Sequence, residues 1–398
     1  MMNRELPTGW EWKRLDEVCE KPEYGYTTSA KPDGEGPLFL RTTDISNGAI
    51  DWQSVPFCFE LPKDEERYLL NDGDLLIARA GSVGESVVIK KPPRAIFASY
   101  LIRFRPKKEL LNPWFAGFFL KSKLFWIQLG GKTAGTTLPG VNATNLSKVK
   151  IPCPPIETQR KIVTILEKAE ATKKFRAQED ELTNQLLQSV FLEMFGDPVK
   201  NPKQWNLYKM NELCNLIRDG EHKTPTYVDI GIPFVTATNL IGEQINLTTT
   251  KRISKEENLI FSKRAKPEKN DLLMSKDGTI GVIQVVNTNE EFSIFVSVIL
   301  IKPKKELVNS QFLKYLLSTH GIQIKIKERI KGIAIRHLHL IDLRDLTIPL
   351  PPLKQQNIFA DIVCNFEKIK DLQNQSKKQI HDLFNDCMQK AFTGELVV

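Results

Sequence analysis

The 398-residue sequence contains no uninterrupted apolar run near the ~20 residues that a membrane-crossing helix needs. Its six cysteines include no C-x-x-C pair, and no secretory leader is apparent at the N-terminus. A soluble protein of a reducing cytoplasm, with free thiols and no membrane partner, is expected. Catalytic signatures are also missing. There is no H-E-x-x-H, no G-x-S-x-G, no glycine-rich dinucleotide fingerprint and no N/D-P-P-Y/F tetrapeptide of adenine methyltransferases; Asn112-Pro113-Trp114 lacks the second proline. The stretch GGKT from Gly130 fails as a phosphate-binding loop, because Trp126 stands where the first glycine is required. Only five histidines occur, and His337 with His339 has no third ligand nearby. These absences exclude the common hydrolase, transferase and metal-site chemistries, so no catalytic residue, cofactor or metal is assigned to the chain.

Two long stretches also lack glycine and proline. Glu157–Phe195 and Lys354–Phe392 each follow a proline-rich strand end, IPCPPIETQ from Ile151 and IPLPPLKQQ from Ile348. A shift of 197 residues superposes Pro152, Pro154, Pro155 and Gln159 on Pro349, Pro351, Pro352 and Gln356, and Phe195 on Phe392. The whole chain is therefore read as one unit made twice. Each stretch can form a helix of about 39 residues, or ~58 Å. In the second, Phe359, Ile362, Phe366, Ile369, Ile380, Leu383 and Cys387 suggest a heptad seam, interrupted at Gln373 and Ser376. The first matches with Ile162, Ile165, Ala169, Thr172, Thr183, Leu186 and Val190 around a polar centre at Arg176 and Glu179. Either the polar centres pack and fix register, or the helices splay apart there.

The globular parts repeat as well. LPTGWEWKRLDEVC near the start is echoed by NPKQWNLYKMNELC from Asn201, pairing Trp10 with Trp205 and Cys19 with Cys214. Both cysteines read as small buried apolar residues. Strands are expected at Leu38–Thr42, Leu75–Ala78, Ser86–Lys90 and Ile96–Arg105. Their echoes are Pro233–Ala237, Leu272–Ser275, Val282–Val286 and Glu291–Lys302. NDGDLLIARAGSVG aligns with EKNDLLMSKDGTIG, and the paired glycines predict tight turns with positive φ at Gly81, Gly84, Gly278 and Gly281. These turns are either structural only or carry Arg79 and Lys276 toward nucleic acid. A helix from about Asn112 buries Phe115, Phe118, Phe119 and Trp126. After it, GGKTAGTTLPGVN and KERIKGIAIRHLHL differ strongly on otherwise similar frames, which suits two different recognition targets.

A net charge of +8 and a pI near 9.0 point to a polyanionic partner. Together, the duplicated α/β units, the two helices after I-P-x-P-P-x-x-x-Q, the G-D-L-L-x-x-x-x-G-x-x-G motif from Gly73 and the L-P-x-G-W opening at Leu6 make the sequence resemble a type I restriction–modification specificity subunit. The second copy departs from the pattern at Pro202–Trp205, at Asn270 in place of glycine, and at Lys354-Gln355-Gln356.

The resemblance implies an α+β fold: two mixed α/β target-recognition domains (1–150 and 197–347) and two long spacer helices (151–196 and 348–398) forming an antiparallel coiled coil with pseudo-twofold symmetry. It further implies double-stranded DNA as ligand, with each domain reading half of a bipartite target. Two methyltransferase subunits would dock on the helices and two restriction/translocase subunits would complete the complex. S-adenosylmethionine, ATP and magnesium would belong to those partners. Chosen by position and side-chain chemistry, the candidate DNA contacts are Arg41, Thr43, Arg79, Ser82, Lys132, Thr136 and Thr137 in the first domain, and Thr236, Thr238, Lys276, Lys331, Arg336 and His337 in the second. The competing reading is a coiled-coil scaffold that gathers protein partners without DNA.

Overall fold

The structure, a computed structural model, describes residues 6–46, 48–130, 141–242, 244–329 and 338–396. The chain divides into two compact units, the first comprising Met1–Ala177 with Gln375–Val398 and the second Gln178–Asn374. Both are built on one plan.

In the first unit a four-stranded sheet has the order Glu23–Tyr24, Leu101–Phe104, Leu75–Ala78, Ser86–Val88. The second unit repeats it as Cys214–Asp219, Val298–Pro303, Leu272–Ser275, Ile283–Val285. The registers coincide: Leu75 faces Phe104, as Leu272 faces Ile301. A second sheet in each unit holds one parallel pair, Leu38–Leu40 with Ala95–Phe97 and Ile232–Val235 with Ser293–Ile294. A third, two-stranded sheet joins Glu11–Arg14 to Lys150–Cys153, and Asn206–Lys209 to Thr347–Leu350.

The expected strands Ile96–Arg105 and Glu291–Lys302 are each broken in two. A turn closed by Leu101 N–H on Ala98 O, and by Val298 N–H on Phe295 O, sends the halves to different sheets. The helix expected from Asn112 is also two. Asn112 caps Pro113–Lys121, accepting from Trp114 N–H and Phe115 N–H, and Ser122 then caps Lys123–Gln128. Its aromatic stripe is core as expected, with Phe115, Phe118, Phe119 and Trp126 buried. The helix Lys255–Ser262 had no counterpart in the sequence reading.

The repeated motifs have repeated jobs. Gln159 and Gln356 are fully buried. Gln159 accepts from Asn112 N–H (2.8 Å) and donates to Leu110 O and Pro154 O, and Gln356 does the same with Asn309, Leu307 and Pro351. Asp74 accepts from Asn71 N–H and pairs with Arg105, while Asp271 accepts from Glu268 N–H and pairs with Lys302. Cys19 and Cys214 are buried, and burial pushes both thiols up to about 12.

The long helices run Ile156–Phe195 and Leu353–Thr393. Phe392 packs on Phe115 and Phe119 in the first unit (5.2 and 5.6 Å between centroids), and Phe195 packs on Phe312 and Phe359 in the second (4.9 and 5.6 Å). The expected heptad seam is buried only in part, with Ile162 and Phe359 in the core. Ile165, Leu186, Ile369 and Leu383 are exposed, while Leu166, Leu187, Val363 and Met388 face in. Each helix end answers to the core of its own unit, whose position follows the 3.6-residue turn rather than a 3.5-residue repeat. At the polar centre, Gln373 Nε2 donates to Thr183 Oγ1 at 2.9 Å within the second unit. In the first unit Lys173 Nζ lies 5.3 Å from the Phe384 ring centre.

Candidate nucleic-acid interface

In each unit, three segments meet at one edge: the tip of the glycine turn, the end of the outer strand of the first sheet, and a 3-10 turn after the parallel strand. The glycine turns behave as their spacing requires, with φ of +76° and +83° at Gly81 and Gly84, and +69° and +90° at Gly278 and Gly281. The second glycine has a further reason. A Cβ on Gly84 would meet the Trp126 ring at 2.5 Å, and one on Gly281 would meet Gln323 Oε1 at 2.5 Å. Trp126 and Gln323 occupy equivalent positions.

The basic residue entering each turn is fixed by the same backbone bond, Arg79 N–H to Tyr100 O and Lys276 N–H to Ser297 O. The side chains are held differently. Tyr24 pairs in register with Ile102, and Asp219 with Ile299, so Tyr24 and Asp219 are equivalent positions. Arg79 is exposed and stacks over the Tyr24 ring at 5.0 Å. Lys276 Nζ binds Asp219 Oδ2 at 2.7 Å and its side chain is only 14% exposed. Beside them the outer strand crosses the broken strand at Gly25 and Gly220. A side chain there would force the backbone to move, since its Cβ would lie 2.3 Å from Ala98 O or 2.1 Å from Ile294 O.

The other candidates divide. Arg41 is tied to Asp44, donating from Nε (3.0 Å), Nη2 (2.6 Å) and its backbone N–H (2.8 Å). That hydrogen bonding raises the Arg41 pKa above its usual value. Thr236, its equivalent, donates from N–H and Oγ1 to Asn239 and lies 2.9 Å from Thr238 Oγ1. Arg41 and Thr236 are thus engaged in capping the 3-10 turns Thr42–Asp44 and Ala237–Leu240. Thr43, Ser82 and Thr238 are exposed. Lys132, Thr136, Thr137, Lys331, Arg336 and His337 lie outside the described residues. The chain after those segments is anchored at this same edge: Ala143 N–H donates to Tyr24 Oη (3.0 Å) and Leu338 N–H to Lys276 O (3.4 Å).

Sequence reasoning missed Tyr24, Asp219, Arg264 and His222. Asp219, 4% exposed, also receives Arg264 Nη2 at 2.6 Å and lies 3.2 Å from His222 Nε2. The signal lay in aligning Tyr24-Gly25 with Asp219-Gly220, but Arg264 sits 45 residues from Asp219 and reaches it only through the fold. No group of three or more metal-ligating side chains occurs among the described residues, and no described helix is long and apolar enough to cross a membrane.

The family model for the type I restriction modification DNA specificity domain matches residues 7–186 and again 202–382. The chain is 24% identical over 412 residues to a Methanocaldococcus jannaschii protein provisionally named the type I restriction enzyme MjaX specificity subunit, covering 99% of this chain and 95% of that one. It is 22% identical to the Escherichia coli type I restriction enzyme EcoBI specificity subunit, covering 91% of this chain and 80% of that one. Its fold is similar to a chain solved in work on assembly and conformational transition of the type I restriction–modification system, with TM-score 0.64, 22% identity, and coverage of 98% and 100%. With two matched copies accounting for most of its length, the chain belongs to the type I restriction modification DNA specificity family, as a specificity subunit.

Proposed function

We propose that each unit reads one half of a bipartite, asymmetric sequence in double-stranded DNA and that the long helices set the gap between the halves. The observation that carries this is the shared edge with unlike chemistry: an exposed Arg79 on Tyr24 in one unit, a cationic group on buried Asp219 in the other. Equal frames with unequal side chains suit two different half-sites, because base edges are distinguished by donor and acceptor placement. Thr43, Arg79 and Ser82 in the first unit, and Thr238 and Lys276 in the second, are the described candidates for contact. Arg41 and Thr236 would act from their capped positions. Lys132, Thr136, Thr137, Lys331, Arg336 and His337 complete the set.

In this reading residues 1–150 and 197–347 are the recognition domains, and 151–196 and 348–398 are spacer helices paired as an antiparallel coiled coil with pseudo-twofold symmetry. The Thr183–Gln373 hydrogen bond supports contact between the helices within the second unit. The helices dock two methyltransferase subunits, and two restriction/translocase subunits complete a cytoplasmic complex. This chain is non-catalytic and holds no cofactor; S-adenosylmethionine, ATP and magnesium are bound by the partners. The alternative scaffold without DNA finds no support among the relatives.

Methylome sequencing of cells expressing the chain with its methyltransferase defines the target. The reconstituted complex is then tested against that duplex, a half-site scramble and gaps altered by one base pair. Retention should fall for each altered duplex and should weaken steeply with salt, as phosphate neutralisation requires. Equal retention of scrambled DNA overturns the proposal. Removing one or two turns from both helix midsections should change the preferred gap while leaving the half-sites as they were.

A further inference from the structure

We propose that Asp219 is a positioning residue that fixes Arg264, with His222 beside it, as a specificity-determining base contact of the second unit. This rests on the reading of that unit as a DNA reader and names the side chains that do the reading.

Asp219 ends its strand almost fully buried, yet three basic side chains converge on it. Lys276 Nζ lies 2.7 Å from Oδ2, Arg264 Nη2 2.6 Å from Oδ1, and His222 Nε2 3.2 Å from Oδ2. One carboxylate cannot neutralise two permanent cations, so the cluster keeps a net positive charge. Exposure separates their roles. The Lys276 side chain is 14% exposed and offers little surface to a ligand, whereas those of Arg264 and His222 are 40% and 59% exposed.

Arg264 is locked. Its Nε donates to Gly220 O at 2.9 Å and its Nη2 to Asp219 Oδ1 at 2.6 Å, with the His222 ring nitrogen 3.1 Å from Nη2. Its Nη1 has no hydrogen-bond partner among the described residues. A planar donor held at one edge and presented at the other matches the paired acceptors on the major-groove edge of guanine. Phosphate contact needs no such fixing, since flexible lysines and arginines supply it from many geometries. The first unit differs at this position: Tyr24 stands there and Arg79 lies across its ring. The two half-sites are thus read by different chemistry at one structural position.

The test uses the chain assembled with its methyltransferase subunits and a duplex library varied across both half-sites. Arg264→Ala should relax preference at one or two base pairs of the second half-site, reducing discrimination there roughly 10- to 100-fold. The first half-site and the salt slope should be untouched. Asp219→Asn should relax the same base pairs with Arg264 still present. Uniform weakening by Arg264→Ala on every sequence, with the salt slope lowered by about one, would make it a phosphate contact and overturn the inference. Unchanged preference also overturns it, while leaving the second unit as a DNA reader. A wild-type complex with no preference in the second half-site overturns both.

Discussion

Gln159 accepts a hydrogen bond from the backbone N–H of Asn112 at 2.8 Å, and this single contact joins the start of the first long helix to the cap of the aromatic helix. Its amide also closes on Leu110 O and Pro154 O, so one buried side chain ties Pro154 of the I-P-x-P-P-x-x-x-Q motif to Leu110 and Asn112 of the segment before the aromatic helix. Gln159→Leu leaves an N–H and two carbonyls without their partner in a dry site. It should lower the unfolding free energy by about 2–4 kcal/mol. Gln356→Leu should do the same for the second unit. Urea titration followed by circular dichroism measures both, and a loss under 1 kcal/mol would show that water replaces the amide.

Phe392 belongs to the core of the first unit although it lies near the other end of the chain. Phe392→Ala removes a ring packed on Phe115 and Phe119 and should cost about 3–5 kcal/mol. Hydrogen exchange should speed up in 11–128 and not in 206–329. Faster exchange confined to the second unit would contradict the assignment of this helix end.

Gly25 and Gly220 allow one strand to cross another's carbonyls. Gly25→Ala places a methyl 2.3 Å from Ala98 O and Phe97 O, both backbone atoms that cannot rotate away. A loss of about 3 kcal/mol is expected, together with weaker recognition of the first half-site alone. A variant as stable as the parent would mean the crossing is looser than the distances indicate.

Burial alone pushes the Asp219 carboxyl up, but hydrogen bonds from Lys276 and Arg264 more than reverse this and hold it at about 2. Its folded value lies below the unfolded value of about 3.9. Its contribution to stability is therefore fully present above the unfolded value and is lost as pH falls through about 2. The difference in unfolding free energy between the parent and Asp219→Asn should be constant above about pH 5 and shrink between pH 4 and pH 2. A gap that widens on acidification would reverse the sign and refute the assignment.

The duplication, the two long helices, the glycine turns and the buried aromatic stripe were legible in the sequence, because each depends on local rules: periodicity, absence of helix breakers, positive-φ residues and caps. The sequence placed Arg79 and Lys276 at equivalent turn tips, and could not show that one is exposed on Tyr24 and the other largely covered against Asp219. Nor could it distinguish Leu186 from Leu187, adjacent leucines on one helix, of which the second is buried and the first is not. Those outcomes depend on which core each helix end meets. Arg264 joins Asp219 across 45 residues of chain. Local chemistry dictates elements and turns, whereas the pairing of charges at the edge around Asp219 is a matter of tertiary register, since ion pairs require proximity that sequence spacing does not encode.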